Sequence, residues 1–141
     1  MIDYLFSVDL RFRHPFGSPT DITDALQILP DRSWTVGEAR RTPKGAPLKG
    51  AYKESYWFAR LFDGASVNYG LIRAIDDTLA RFADRKNFFQ HFAASGGRAE
   101  LFIGLFFPDG NGGDTIKHEL LTRLADFKLD LSLEIYPEAQ S

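Results

Sequence analysis

The sequence predicts one α+β domain over residues 1–141, a four-stranded mixed β-sheet with helices mainly on one face, a two-layer sandwich loosely ferredoxin-like in plan. Three observations lead there. Tyr4, Phe6, Val8, Leu10 and Phe12 alternate with Ser7, Asp9, Arg11 and Arg13, the period of a strand with one buried face. Leu129, Leu131, Leu133 and Ile135 alternate with Asp130, Ser132, Glu134 and Tyr136 in the same way near the other end. Between them, Ile72, Ile75, Leu79 and Phe82 recur at three- and four-residue steps, the stripe of an amphipathic helix.

Each element follows from its own residues. The first strand covers Tyr4 to Arg13 and ends at His14-Pro15, because proline cannot donate to a ladder. "SPTDITDALQILP" reads as a short helix with Thr20 as its cap, acids at its positive end, and Ile22, Leu26 and Leu29 as its apolar stripe. The stretch from residue 34 to 53 carries Gly37, Pro43, Gly45, Pro47 and Gly50 and no sustained period, so it is expected to be a long connector with a short extended piece at Trp34. Tyr52 to Leu61 is aromatic and strand-like. "NYGLIRAIDDTLARFADRKNFFQHFAASGG" is helical, but its stripe loses phase at Arg85 to Asn87, which predicts two helices or one with a kink, stopped by Gly96-Gly97. Ala99 to Phe107 is a strand, "PDGNGGD" a turn, "TIKHELLTRLADF" a short helix and "KLDLSLEIY" the last strand.

Composition narrows the function. The 141 residues include no cysteine, which excludes disulfides, thiolate metal sites and a thiol nucleophile. The net charge is −2, so a dedicated nucleic-acid binder is not expected, since such proteins carry a strongly basic face. There is no basic leader followed by an apolar core and no apolar run of the roughly 20 residues that span a bilayer, so the expected location is the cytoplasm, away from membranes. Thirteen phenylalanines predict an aromatic core.

Motifs for chemistry are weak. His14, His91 and His118 lack metal-ligand spacing, so no metal and no cofactor is expected. "PDGNGGD" fails as a calcium loop, because the obligatory acid would fall on Leu120, and fails as a phosphate cradle, because no lysine follows and Asp109 and Asp114 would repel the ligand. Asp76 and Asp77 project about 100° apart on a helix and cannot pair. No catalytic residue is assigned.

Two surfaces remain. The polar faces of the terminal strands offer Arg11, Arg13, Asp130, Glu134 and Tyr136, and if those strands lie near one another, the arginines can meet the acids across the sheet. The connector "RSWTVGEARRTPKGAPLKGAYKESYW" sets Trp34, Glu38, Arg40, Arg41, Lys44, Lys49, Lys53 and Trp57 in a loop of a length that is usually functional or disordered. Such a loop needs an apolar anchor, so Trp34 is expected to be substantially buried. Phe102 and Phe106 face away from the helices, and the connector, with a twofold homodimer as the alternative, is expected to cover them.

"ILPDRSWTVGEARRTPKGAPLKGAYKESYW", "GGRAELFIGLFF" and "LADFKLDLSLEIYP", in that order, resemble the domain of unknown function 4279 family. The tract from Trp34 through Gly37-Glu38 to Trp57 carries most of the resemblance. Glu134 departs from it, standing where an Asp is expected before the last aliphatic–Tyr pair. The resemblance implies a small bacterial protein without assigned activity and brings no catalytic residue. Analogy with small orphan domains suggests an immunity-like role against a partner toxin. The function expected is a non-enzymatic binding module for a protein partner or a small anionic ligand, using Trp34, Glu38, Arg40, Arg41, Lys44, Trp57, Arg11, Glu134 and Tyr136. The alternative is a small-ligand enzyme at the same place, with Arg40, Arg41 and Glu134 orienting the substrate.

Overall fold

The structure is a computed structural model that describes residues 4–64, 70–107 and 112–136. Its elements are β1 (Leu5–His14), α1 (Pro19–Leu26), β2 (Arg32–Trp34), β3 (Ala39–Arg41), β4 (Pro47–Ala51), β5 (Ser55–Asp63), α2 (Leu71–Arg81), α3 (Lys86–Ala94), β6 (Arg98–Phe106), α4 (His118–Asp126) and β7 (Leu129–Tyr136). The α+β class is as the periodicities predict. The sheet, however, has five strands in the order β2-β5-β1-β6-β7, and β3 and β4 form a separate two-stranded hairpin.

Two corrections to the plan follow. The extended piece expected at Trp34 is present, as Arg32–Trp34 pairing with Tyr56–Phe58 to make a fifth strand, but the stretch that follows it to residue 53 is not an irregular connector: it folds back as the hairpin. Gly37 and Gly45 lie in its turns, while Pro47 and Gly50 lie within β4, where the ladder is irregular; Gly37, Gly45 and Gly50 all have positive φ, which glycine adopts without strain. Nor is the order ferredoxin-like. β6 and β7 are direct parallel neighbours joined through α4, where a split βαβ plan would set a strand between them.

The apolar faces of β1 and β6 turn to the helices. Val8, Leu10, Phe12, Leu101 and Ile103 are fully buried there together with Trp57 of β5. Each such side chain contributes about 1.5–3 kcal/mol by leaving water. Phe12 is the hub of the aromatic core, with the Trp57, Phe89 and Phe92 rings 5.1–5.5 Å away. The helices supply Ile22, Leu26, Leu71, Ile75, Leu79, Phe89, Leu120 and Leu124. The phase loss after Phe82 is a 3₁₀ turn at Ala83–Arg85 that divides α2 from α3. In α1 the cap is Ser18, whose Oγ accepts from the Thr20 amide, rather than Thr20 itself. The helix stops early at Gln27, which turns left-handed with φ 57°, so Leu29 falls outside the stripe and is 82% exposed.

Among the described residues no helix is long and apolar enough to cross a membrane, and no cluster of three or more His, Cys, Asp or Glu side chains could hold a metal ion. Most of the "PDGNGGD" turn lies outside the described residues.

Candidate functional site

The face of the sheet away from the helices is ordered in rows by strand register. One row runs Arg32 (β2), Phe58 (β5), Arg11 (β1), Glu100 (β6) and Asp130 (β7); the next runs Trp34, Tyr56, Arg13 and Arg98. Cations gather at the β2–β5–β1 side, while Asp130 and Glu134 lie at the β7 edge. The terminal strands are not adjacent, because β6 separates them, so Arg11 and Arg13 do not reach Asp130 or Glu134. Arg13 instead meets Glu100 at 3.3 Å and Glu54 at 3.6 Å.

Asp9 is the electrostatic centre of the face. It is 1% exposed and is gripped by Arg60 through two hydrogen bonds of 2.7 and 3.2 Å, with the Arg11 guanidinium 3.6 Å away. A buried carboxylate persists only with such partners. The hydrogen bond to Asp9 is the main cause that holds the Arg60 pKa above its ordinary value. Arg11 lies over Phe102, 3.9 Å from the ring centroid, and its buried Nε has no hydrogen-bond partner.

Trp34 anchors the hairpin. Its ring is sandwiched between Tyr52 (4.1 Å, 9°) and Tyr56 (4.5 Å, 26°), and its indole N–H donates to the Glu54 carbonyl at 3.0 Å. Trp34 is half-buried and belongs to a strand, so its anchoring is by stacking as much as by burial. Tyr52 carries the anchor onward: its hydroxyl accepts from the Arg41 amide at 3.2 Å and donates to the Arg41 carbonyl at 3.0 Å. The Gly37–Tyr52 and Tyr52–Glu38 backbone bonds, both 2.9 Å, close the base of the hairpin.

Between hairpin and sheet lies an open cleft of about 500 Å³ lined by Arg11, Arg13, Arg32, Trp34, Tyr56 and Phe58, with Pro43 at its rim. Its one acid, Asp31, accepts the Arg60 amide at 2.7 Å. Arg32 donates to the Arg41 carbonyl at 3.0 Å, stands over Trp34 at 4.8 Å and meets no carboxylate among the described residues. Burial pushes the Tyr56 phenol up, against the pull of Arg11 and Arg13, so Tyr56 is a neutral wall here and not a base.

The structure brings only some of the expected site residues together. Arg11 and Trp34 line the cleft. Arg40, Arg41 and Lys44 are exposed on the hairpin, with Glu38 beside Arg41 at 3.9 Å. Trp57 is a correction: it is fully buried on the opposite face, where its N–H donates to Thr23 Oγ1 at 3.0 Å, because the period of two turns alternate residues of β5 inward. Glu134 is exposed on the far edge strand. Tyr136 stacks on Phe106 at 4.9 Å, and its hydrogen bond to Glu134 holds its phenol above the usual value. Phe102 and Phe106 are therefore covered by Arg11 and Tyr136, not by the connector. Reasoning from sequence missed Arg32, Tyr56 and Phe58; the one signal for Tyr56 and Phe58 was the apolar second face of β5, and Arg32 stands next but one to Trp34 on β2.

A second cleft, about 450 Å³, lies beside His14, Phe16, Phe88, His91 and Ser95. His14 Nε2 and Ser95 Oγ are 2.8 Å apart, the spacing of a base and its nucleophile. However, His14 Nδ1 accepts the Phe16 and Gly17 amides at 3.1 and 2.8 Å. That places the proton of the neutral ring on Nε2, which donates to Ser95, and Ser95 donates to the Phe92 carbonyl. The pair braces the end of β1 against α3 and is oriented the wrong way for base catalysis.

No curated protein and no solved structure matches the chain. A family model described as Domain of unknown function (DUF4279) matches residues 5–138.

Proposed function

The chain belongs to that family, whose description assigns no activity, so we propose from the site itself that the protein is a non-enzymatic binding module that grips a partner protein, immunity-like, with the hairpin and the basic side of the open sheet face. One observation carries the reading. The stack of Tyr52, Trp34 and Tyr56 pins a hairpin whose stretch holds five cations against the single acid Glu38, so charge is presented on a preordered, open surface.

The enzyme alternative asks Arg40, Arg41 and Glu134 to converge. Against it, the arginines are on β3 of the separate hairpin, while Glu134 is on β7, the edge strand opposite β2. A photo-cross-linking residue placed at Leu48 on the hairpin, in cells that make the protein, tests the binding reading. Leu121 on α4 is the control, since the two are similarly open at 43% and 48%. The expected result is one protein captured from position 48 alone, and lost when Arg40, Arg41 and Lys44 are changed to Glu. Capture that is absent at 48, or equal at both positions, overturns the reading.

A further inference from the structure

We infer that the cleft under the hairpin is a carboxylate-binding subsite, and that the partner is an acidic protein segment that inserts an Asp or Glu side chain between Arg11 and Arg32. This rests on the binding reading above and names the chemistry of its partner. Arg11 and Arg32 are both in register with Phe58, one on each side of it, so strand spacing sets their Cα atoms about 10 Å apart with the ring between them. Two guanidinium groups flanking an apolar floor suit one carboxylate, which they can hold by charge-assisted, forked hydrogen bonds while its methylenes rest on the ring.

Both arginines have donors to spare. The Arg11 side chain is partly exposed, its terminal nitrogen stands a loose 3.6 Å from Asp9, and Asp9 is already gripped by Arg60. Arg32 spends one donor on a carbonyl. Arg13, by contrast, is committed to Glu54 and Glu100 and serves as the back wall. The single lining acid, Asp31, is held by the Arg60 amide, so the cleft has a surplus of positive charge. Outside it, Arg40, Arg41, Lys44, Lys49 and Lys53 continue the same sign along the hairpin, which complements a run of acids rather than one ion.

A single-stranded nucleic acid is the competing anion, and the rings argue against it. Stacking a base needs a free aromatic face. Both faces of Trp34 are taken by Tyr52 and Tyr56, the Arg13 guanidinium lies 5.0 Å from the Tyr56 ring centroid, and Arg11 lies over Phe102 and near Phe58. The aromatic groups here orient arginines.

The test is titration of the intact protein with an oligoglutamate peptide, followed by the arginine Nε–H resonances and by calorimetry, alongside inorganic phosphate and oligothymidylate. Oligoglutamate is expected to shift the Arg11 and Arg32 resonances, to bind more weakly as salt rises, and to lose about tenfold in affinity in Arg32→Gln. Arg32→Lys, which keeps the charge but not the fork, is expected to recover only part of that loss. Arg32 is half-buried and carries no structural ion pair, so these variants keep the fold; Arg11→Gln is the second variant, read only if its unfolding midpoint matches the parent. Unchanged affinity in Arg32→Gln overturns the subsite. Tighter binding of oligothymidylate overturns the choice of partner, and equal binding of phosphate shows a site for free anions instead. Cross-linking from Leu48 separates the levels: capture that persists in Arg32→Gln without oligoglutamate binding sinks this inference alone, whereas no capture from the parent protein sinks the binding reading.

Discussion

Gly104 shows how tightly the open face is assembled. It is in register with Ser7 on one side and Glu134 on the other, and a Cβ added to it would stand 2.8 Å from Ser7 Oγ. In the sequence, a glycine between Phe102 and Phe106 signals that something comes close, and the visitor is the side chain of the next strand. Gly104→Ala is therefore expected to cost about 1–3 kcal/mol through overpacking. Adding Ser7→Ala should return most of it. Denaturant unfolding of the two single variants and the double variant checks the coupling; if the losses simply add, the close approach is not the cause. The same scale explains what sequence could not reveal about Asp9. Alternation places it on the polar face, but its burial depends on Arg60, which comes from a strand some fifty positions away and is brought opposite it by a register shift between Val8 and Asp9.

At the scale of elements, the hairpin stands on one aromatic sandwich. Trp34→Ala removes its middle ring and the hydrogen bond to Glu54. The expected outcome is a folded protein in which amide protection is lost in Gly37 to Tyr52 and kept in β1 and β6, with a stability loss of about 2 kcal/mol, below the 3–5 typical of a fully buried Trp because this one is half-exposed. Hydrogen exchange followed by NMR reads it; protection lost uniformly would mean that the stack supports the whole sheet. The long strands and helices were legible because each buries one face, so its period is written in its own residues. The five residues of β4 are all exposed and its hairpin buries almost nothing, so no period marks it. The basic hairpin could thus be singled out from charge and tryptophan alone, while its shape could not. The cleft was less legible still, because Arg11, Arg32 and Phe58 come from three strands and share a site only through register.

For the molecule as a whole, raised phenols tie stability to alkaline pH, Tyr4 and Tyr56 through burial and Tyr136 through Glu134. Burial, and then the hydrogen bond that Tyr4 donates to Asp114 at 2.6 Å, hold the Tyr4 pKa above its ordinary value of 10.0; burial does the same for Tyr56. The unfolded chain releases these protons first, so above pH 10 the folded state holds more of them and stability falls as pH rises. Denaturant midpoints measured on either side of pH 10 should show the fall, and Tyr4→Phe, although weaker at neutral pH, should show a shallower one; an equal slope would rule Tyr4 out as a source. The order of the strands has a further consequence, for the time at which the protein can form. β1 leaves the ribosome first, yet it is the middle strand, and Leu10 needs both Ala59 and Leu101 as neighbours. A nascent chain therefore carries Phe6, Val8, Leu10 and Phe12 unsheltered through most of translation, and β1 keeps an unpaired edge until residue 106 has emerged. A permuted chain that begins at Arg98 and rejoins the old ends with a linker would deliver β6 and β7 before β1 and shorten that wait.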